Sequence, residues 1–430
     1  MKVYKVLPDL IEIVPLEKPV RADITVPGSK SITNRALILA ALADGVVRLD
    51  GALWSEDTQV MTECLRQLGF EVSVADDPNE PCNRTITVRG LGGKIPLAGT
   101  KEKPLELFVG NAGTAARFLA AFVCLGNGVY RLHGVPRMHE RPQAALFDAL
   151  RELGYRVDSP NNKLPALIHG TGPRPGKCRV SIEASSQFAS ALLLGGKVGG
   201  WKIEVVGENT EESSYIKMTR LLCGDFPTHT GGYRIEPDAS SASYIHGADV
   251  VLGTGLKPHG IVHVAGQFHA GWQIDSEFPK FLPLPATVSR QRDLGDSIMT
   301  AIVLAPFAEH PVKFTDLGRL RVQECERVVA LRTELTKCGA KVIEEGDTLT
   351  VHPSPLHGAE IETYHDHRMA MCFAVVGLRA PGIKLRNPAC VKKTFPNFFQ
   401  KLAAPPPHGL GTTILDAQRK KLGLEDLFAE

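Results

Sequence analysis

A chain of 430 residues is too long for one compact core, so two or three domains are expected, and 43% apolar residues suit a globular protein that folds without staples. Lys+Arg 49 against Asp+Glu 47 leaves a net charge of +2, which argues against a nucleic-acid or membrane-surface binder and requires any anion site to be local. Nine cysteines without a C-x-x-C pair read as reduced thiols; with no signal-peptide core at the start and no apolar run of about 18 residues, a cytoplasmic protein is expected.

The first informative stretch is Pro27-Gly28-Ser29-Lys30-Ser31-Ile32-Thr33-Asn34-Arg35, which sets hydroxyls, an ammonium, an amide and a guanidinium at the start of an apolar helix. Ser29 or Ser31 is positioned to cap it, and the free N–H groups of a first turn attract anions. No glycine precedes it at Walker spacing, so the stretch reads either as an anion site or as an ordinary capped helix ending near Gly45.

An echo then appears three times. Leu65–Val72, Leu150–Val157 and Leu335–Val342 each predict a helix closed by glycine and feeding a strand, which suggests a recurring unit. Between the echoes, polar clusters fall repeatedly at helix starts: Asn111-Ala112-Gly113-Thr114, with Arg117 one turn in; Arg137 to Pro142; Ser185-Ser186-Gln187; Asp238-Ala239-Ser240-Ser241; Asp296; Tyr364 to Arg368; and Lys393-Thr394-Phe395-Pro396. Glu324 and Arg327 are expected in the helix running on to Leu335. So many cations at helix starts point to a polyanionic ligand, with arginines giving bidentate grips and lysines point charges. Asp296 and Glu324 among them are candidates for proton transfer, or else salt-bridge partners of the arginines.

Other features read more plainly. His365-Asp366-His367 lacks a distant third ligand and favours a structural role over a metal site. Cys390 beside Lys392-Lys393 is either a reactive thiol or passive packing. Ala403 to Gly409 reads as a polyproline linker, and Leu415 to Glu430 as a charged segment able to form a helix.

In this order the clusters resemble the 5-enolpyruvylshikimate-3-phosphate synthase family of enolpyruvyl transferases over Pro27 to Leu402. The motifs that carry the resemblance are Gly28-Ser29-Lys30-Ser31 with Asn34-Arg35-Ala36-Leu37, Gly110 to Ala115, Pro136-Arg137-Met138 with Glu140-Arg141-Pro142, Ser185 to Phe188, Asp238 to Ala242, Asp366 to Met371 and Lys393 to Pro396. The resemblance implies a two-domain inside-out α/β fold of six βαβαββ units. One domain would be 1–27 plus 239–430, the other 28–238, with ligands in the cleft between them. It further implies transfer of the enolpyruvyl group of phosphoenolpyruvate to the 5-hydroxyl of shikimate 3-phosphate, by a monomer, without metal or cofactor.

By motif position, the resemblance assigns Lys30, Asn111, Gly113, Arg137, Gln187 and Lys393 to the phosphate end of phosphoenolpyruvate, and Arg327 and Arg368 to its carboxylate. Lys30, Ser31, Arg35, Ser185, Ser186, Gln187, Asp296 and Gln323 would bind shikimate 3-phosphate. Lys30, Asp296 and Glu324 would be catalytic, Asp296 as base for the 5-hydroxyl and Glu324 for the proton exchanged at the methylene carbon. The chain departs from the family pattern at Gln323, where lysine is usual, at Arg319, at Glu212, and through Gly266 to Arg292, where the Q-G-D turn is reduced to Gln273-Ile274-Asp275. The charge of that lysine is lost unless Arg319 or Arg321 takes its place, and Ser213 or Ser214 would substitute for the serine that Glu212 replaces. These departures keep open another cyclic hydroxyl acceptor, or a ligand-binding homologue that has lost turnover.

Overall fold

The computed structural model describes residues 7–207, 210–253, 256–266 and 271–429, the side chains of 210–213 excepted. Glu212 and Ser213 therefore lie outside the described side chains, as do residues 267–270 of the Gly266 to Arg292 region. The chain divides into two units, Gly28–Glu236 and Met1–Pro27 with Pro237–Glu430.

Three sheets share one path. In Gly28–Glu236, His229–Arg234 lies parallel to Asp44–Leu53, which pairs antiparallel with Asn83–Leu91, itself antiparallel to Val72–Asp76. Leu105–Phe108, Asn127–His133, Ala166–Thr171 and Arg156–Asp158 repeat that order and those directions. In the other unit Thr287–Ser289, Val312–Thr315, Thr348–Val351 and Val342–Glu345 do so again. The outermost strand of each sheet is the one that the sequence echo predicts. Helices Glu56–Gln67, Ala144–Glu152 and Arg327–Lys337 lead into these strands through Gly69, Gly154 and Gly339, at φ +90°, +86° and +90°. A side chain rarely adopts that backbone conformation, so glycine is what lets the helix turn directly into the strand. The remaining four-stranded sheet runs Glu360–Ile361, Ile383–Arg386, Leu10–Ile13, Ile414–Asp416.

Inside each unit lie three helices. In Gly28–Glu236 they are α1 (Lys30–Leu42), α2 (Gly113–Phe122) and α3 (Ser186–Gly199), which pack on one another and are almost wholly buried. All ten residues of α2 are buried, which explains its run of alanine and phenylalanine and the absence of a polar face. The second unit repeats the arrangement with α4 (Ala239–Val251), α5 (Ile298–Leu304) and, beyond α6 (Arg327–Lys337), α7 (His367–Gly377). Helices buried all round with sheets about them make an inside-out α/β architecture.

Several local expectations need correction. Ser29 holds the N-cap position of α1, but its side chain makes no capping bond. That helix ends at Leu42, and Gly45 lies within the following strand. Helix α6 starts only at Arg327, because the Glu326 side chain accepts from the Val329 N–H and caps it there; Glu324 therefore stands outside the helix. The tail forms the strand Ile414–Asp416 and a 3-10 turn at Leu424–Asp426 rather than a long helix.

Candidate active site

In Gly28–Glu236 the first turns of the three buried helices touch. Arg35 of α1 donates from its Nε to Thr219 at 2.8 Å, from Nη1 to the Ser31 carbonyl at 2.8 Å and from Nη2 to Ser190 of α3 at 3.1 Å. It lies over the Phe118 ring of α2. Buried and turned inward, Arg35 fastens the helices together while Lys30, at the very start of α1, stays accessible and pairs with Asp57 at 3.2 Å.

The N-terminus of α2 is crowded with guanidinium groups. A Cβ on Gly113 would lie 2.4 Å from Nη1 of Arg117 and 2.6 Å from Nη2 of Arg141, so a larger residue would push these guanidinium groups aside. Arg141 donates to the Asn111 carbonyl at 3.0 Å and Arg117 to the Pro142 carbonyl at 2.9 Å. Gln187, in the first turn of α3, meets Arg117 and Thr114, each at 3.4 Å. Ser185 caps α3 by accepting from the Gln187 N–H, and Ser186 is buried beside it. No acidic residue stands in the first turn of α1, α2 or α3, and a helix start of that kind favours an anion. Arg137 sits apart from this group, its side chain 60% exposed and paired with Glu140.

The second unit treats its helix starts differently, giving each an aspartate. Asp238 caps α4 by accepting from the Ser241 N–H at 2.7 Å, and Asp366 caps α7 by accepting from the Arg368 N–H at 2.9 Å. Asp296 directly precedes the N-cap residue of α5. The first turns meet through Ser243 and Thr300 at 2.8 Å and through Arg368 and Tyr244 at 3.4 Å.

Asp296 is surrounded by arginines: Arg368 at 2.9 Å, Arg290 at 3.2 Å and Arg327 at 3.7 Å. Burial pushes its carboxyl upward, but Arg368, Arg327 and Arg290 together hold it well below the usual carboxylate range. Arg327, 1% exposed, reaches the fully buried Asp366 at 2.6 Å and Glu324 at 2.9 Å, and also donates to the side-chain amide oxygen Oε1 of Gln323. The other Glu324 oxygen accepts from Lys393 at 3.0 Å. Thus Gln323, Glu324, Asp296, Arg327, Arg368 and Lys393 form one connected cluster, and Asp366 belongs to it as the partner of Arg327. Among the described residues no group of His, Cys, Asp and Glu is arranged to hold a metal ion.

Arg321 does not replace a charge at position 323. It is bound to Glu326 at 2.6 Å, Glu344 at 2.7 Å and Asp347 at 2.9 Å, and so anchors the loop instead. Burial pushes the Cys390 thiol up to about 12, which disposes of a reactive thiolate there. The sequence reading missed Asp57 and Arg290 as partners of Lys30 and Asp296. It also left Arg117 and Arg141 unassigned, although both lie in the quoted clusters.

The family model for EPSP synthase (3-phosphoshikimate 1-carboxyvinyltransferase) matches residues 14–270 and 279–402. The chain belongs to this EPSP synthase family. Its similarity to the 3-phosphoshikimate 1-carboxyvinyltransferase of Opitutus terrae is 39% identity over 438 residues, 92% of this chain and 97% of the relative. For that of Trichormus variabilis the identity is 38% over 428 residues, 91% and 98% of the two chains. A solved EPSP synthase from Acinetobacter baumannii shares the fold at TM-score 0.70 and 21% identity, covering 94% of this chain and 99% of its own. The enolpyruvyl transferase NikO from Streptomyces tendae does so at TM-score 0.67 and 16% identity, covering 97% and 100%. The fold is thus the enolpyruvyl transferase fold. The break in the family match, at 271–278, contains Gln273-Ile274-Asp275.

Proposed function

We propose that the protein transfers the enolpyruvyl group of phosphoenolpyruvate to the 5-hydroxyl of shikimate 3-phosphate and releases phosphate, in aromatic amino acid biosynthesis. The observation that carries this reading, beyond family membership, is the pair of carboxylates Asp296 and Glu324 placed on opposite ends of one set of cations. In this reading Arg327 and Arg368 grip the substrate carboxylate bidentately, and Lys30, Gln187, Lys393 and the Asn111–Gly113 turn take its phosphate, while Arg137 stands apart, exposed and paired with Glu140. The α1 and α3 starts, through Lys30, Ser31, Ser185, Ser186 and Gln187, hold the sugar phosphate, with Asp296 and Gln323 on its hydroxyls; Arg35, expected among these ligands, is buried and instead fastens the two helices together.

The chemistry then follows. Glu324 delivers a proton to C3 of phosphoenolpyruvate as Asp296 takes the proton of the 5-hydroxyl, whose oxygen bonds to C2. The tetrahedral ketal expels phosphate by breaking the C2–O bond to it, and loss of a proton from C3 restores the double bond. No metal or cofactor has a part in these steps. The reaction is that of a cytoplasmic monomer with two small-molecule substrates, neither nucleic acid nor membrane.

The test is phosphate release from phosphoenolpyruvate with shikimate 3-phosphate present. Release at ordinary enzyme rates supports the reading, tight binding without release favours a homologue without turnover, and the absence of both binding and release points to another acceptor. The second reading, a different cyclic hydroxyl acceptor, is favoured by one observation: Gln323 is a neutral acceptor for Arg327, and Arg321 is fully committed elsewhere.

That arrangement predicts the outcome of Gln323→Lys. A lysine loses the acceptor for Arg327 and sets a like charge beside it, so kcat is expected to fall, by about tenfold, rather than rise. A higher kcat in steady-state assays would show that the ammonium is simply missing from this chain.

A further inference from the structure

Three arginines face Asp296, and two of them have a task in the reaction proposed above. Arg327 from α6 and Arg368 from α7 are the grips for the substrate carboxylate. Arg290 arrives from the loop after the strand Thr287–Ser289, its side chain buried at 5% exposure, and has no part in gripping the substrate carboxylate in that reading. Its loop is firmly built: the Arg290 N–H donates to the Thr315 carbonyl at 3.1 Å, the Ser289 N–H to Asp293 at 2.8 Å, and the Ser289 hydroxyl to Asp316 at 2.5 Å. The backbone on both sides of Asp296 is fixed as well, since the Gly295 and Ser297 N–H groups donate to Asp275 at 2.8 Å and 3.1 Å.

We propose that Arg290 is a positioning residue for the transfer, the counter-ion that keeps Asp296 ionised and aimed while the substrate carboxylate occupies Arg327 and Arg368. The inference rests on the reaction read in the preceding subsection. Without substrate, three cations serve Asp296. Once a second carboxylate enters, Arg327 and Arg368 are shared between two anions, and the newcomer itself pushes Asp296 toward its protonated form. A protonated Asp296 cannot accept the hydroxyl proton, so the base depends at that moment on the cation the substrate leaves untouched. Burial lowers Arg290 to about 10, which still leaves it charged at neutral pH.

The other groups facing this pair do not replace it. Glu324 opposes ionisation of Asp296; Arg319 and Arg327 face Arg290 with like charge; Asp238, Asp275 and Tyr244 face Arg368. Because kcat reports the substrate complex and kcat/KM the free enzyme, the effect should fall mainly on kcat.

The experiment is phosphate release against pH for the full-length enzyme and for Arg290→Met, Arg290→Lys and Asp296→Asn, with phosphoenolpyruvate and shikimate 3-phosphate saturating. Arg290→Met is expected to move the acid limb of kcat upward by about one to two pH units, with Arg290→Lys returning it most of the way. In the Asp296→Asn background Arg290→Met should change kcat by less than about twofold. A loss equal at every pH, with the limb unmoved, would mean that Arg290 only packs, and overturns the inference alone. No release by the unaltered enzyme, or full activity in Asp296→Asn, overturns the reaction reading and this inference with it. Should Arg290→Met fail to fold, Arg290→Gln removes the charge while keeping a hydrogen-bonding side chain of similar size, and its acid limb decides in the same way.

Discussion

Lys30→Met is expected to lower kcat by about 10²–10³-fold while the circular dichroism spectrum stays that of the folded protein. Methionine keeps the aliphatic stem but removes the one ammonium at the start of α1, where the helix dipole and the unpaired N–H groups already favour an anion. An accessible cation there gains most from a phosphate whose charge rises as its ester bond breaks, so kcat suffers as well as binding. The change also strands Asp57, which is nearly buried, and a modest fall in melting temperature accompanies the kinetic loss. Lys30→Arg separates the two effects: it keeps a charge for Asp57 but not the compact ammonium, so stability should return and kcat should not. Retained turnover in Lys30→Met, measured by phosphate release, would remove α1 from the site.

Arg327→Ala is expected to act on the fold as strongly as on catalysis. The guanidinium reaches Asp366, Glu324, Asp296 and Gln323, and Asp366 is 0% exposed. Taking one partner from a buried ion pair leaves a charge without water or counter-ion, a loss of about 3–5 kcal/mol. The pH dependence has a definite sign. The carboxyl of Asp296 is held below its unfolded value, so it contributes stability above the unfolded pKa of about 4 and loses that contribution as the pH falls toward the folded value. Removing Arg327 weakens the hold, so the deficit against the unaltered protein should be larger at pH 7 than at pH 3. Urea titrations at the two pH values measure it; a deficit that grows on acidification would contradict the ion-pair account.

What the sequence disclosed followed from local physical signals. The glycines at 69, 154 and 339 announced helix-to-strand turns because a side chain rarely takes that backbone conformation, and they pointed to a recurring unit, though not to the sheet path it builds. The helix starts were legible because caps, small residues and cations stand next to one another in the chain. Partners brought from afar were not. Asp57 looks like an ordinary residue in the first turn of its own helix, and Arg290 like a loop cation in Ser289-Arg290-Gln291-Arg292. Only folding shows that one meets Lys30 and the other Asp296. Glu324 was misplaced into a helix because its periodicity continues that of α6, whereas the Glu326 cap begins the helix three residues later. The tail misled for a different reason: charge and leucine spacing allow a helix, but pairing with Leu10–Ile13 decided for a strand.

That pairing has a consequence for how the chain comes together. Strand Leu10–Ile13 sits between Ile383–Arg386 and Ile414–Asp416, so it must wait for two partners that are made far later than itself. Every strand of Gly28–Glu236 finds its neighbours within that segment, and this unit can close while the other is still being made. Until both partners are made, Leu10–Ile13 is an apolar strand with both edges bare, the kind of segment that pairs with the wrong chain. Residues beyond 402, past the end of the family match, are therefore what completes the sheet around the N-terminal strand, and a chain cut there should aggregate rather than merely lose an ornament.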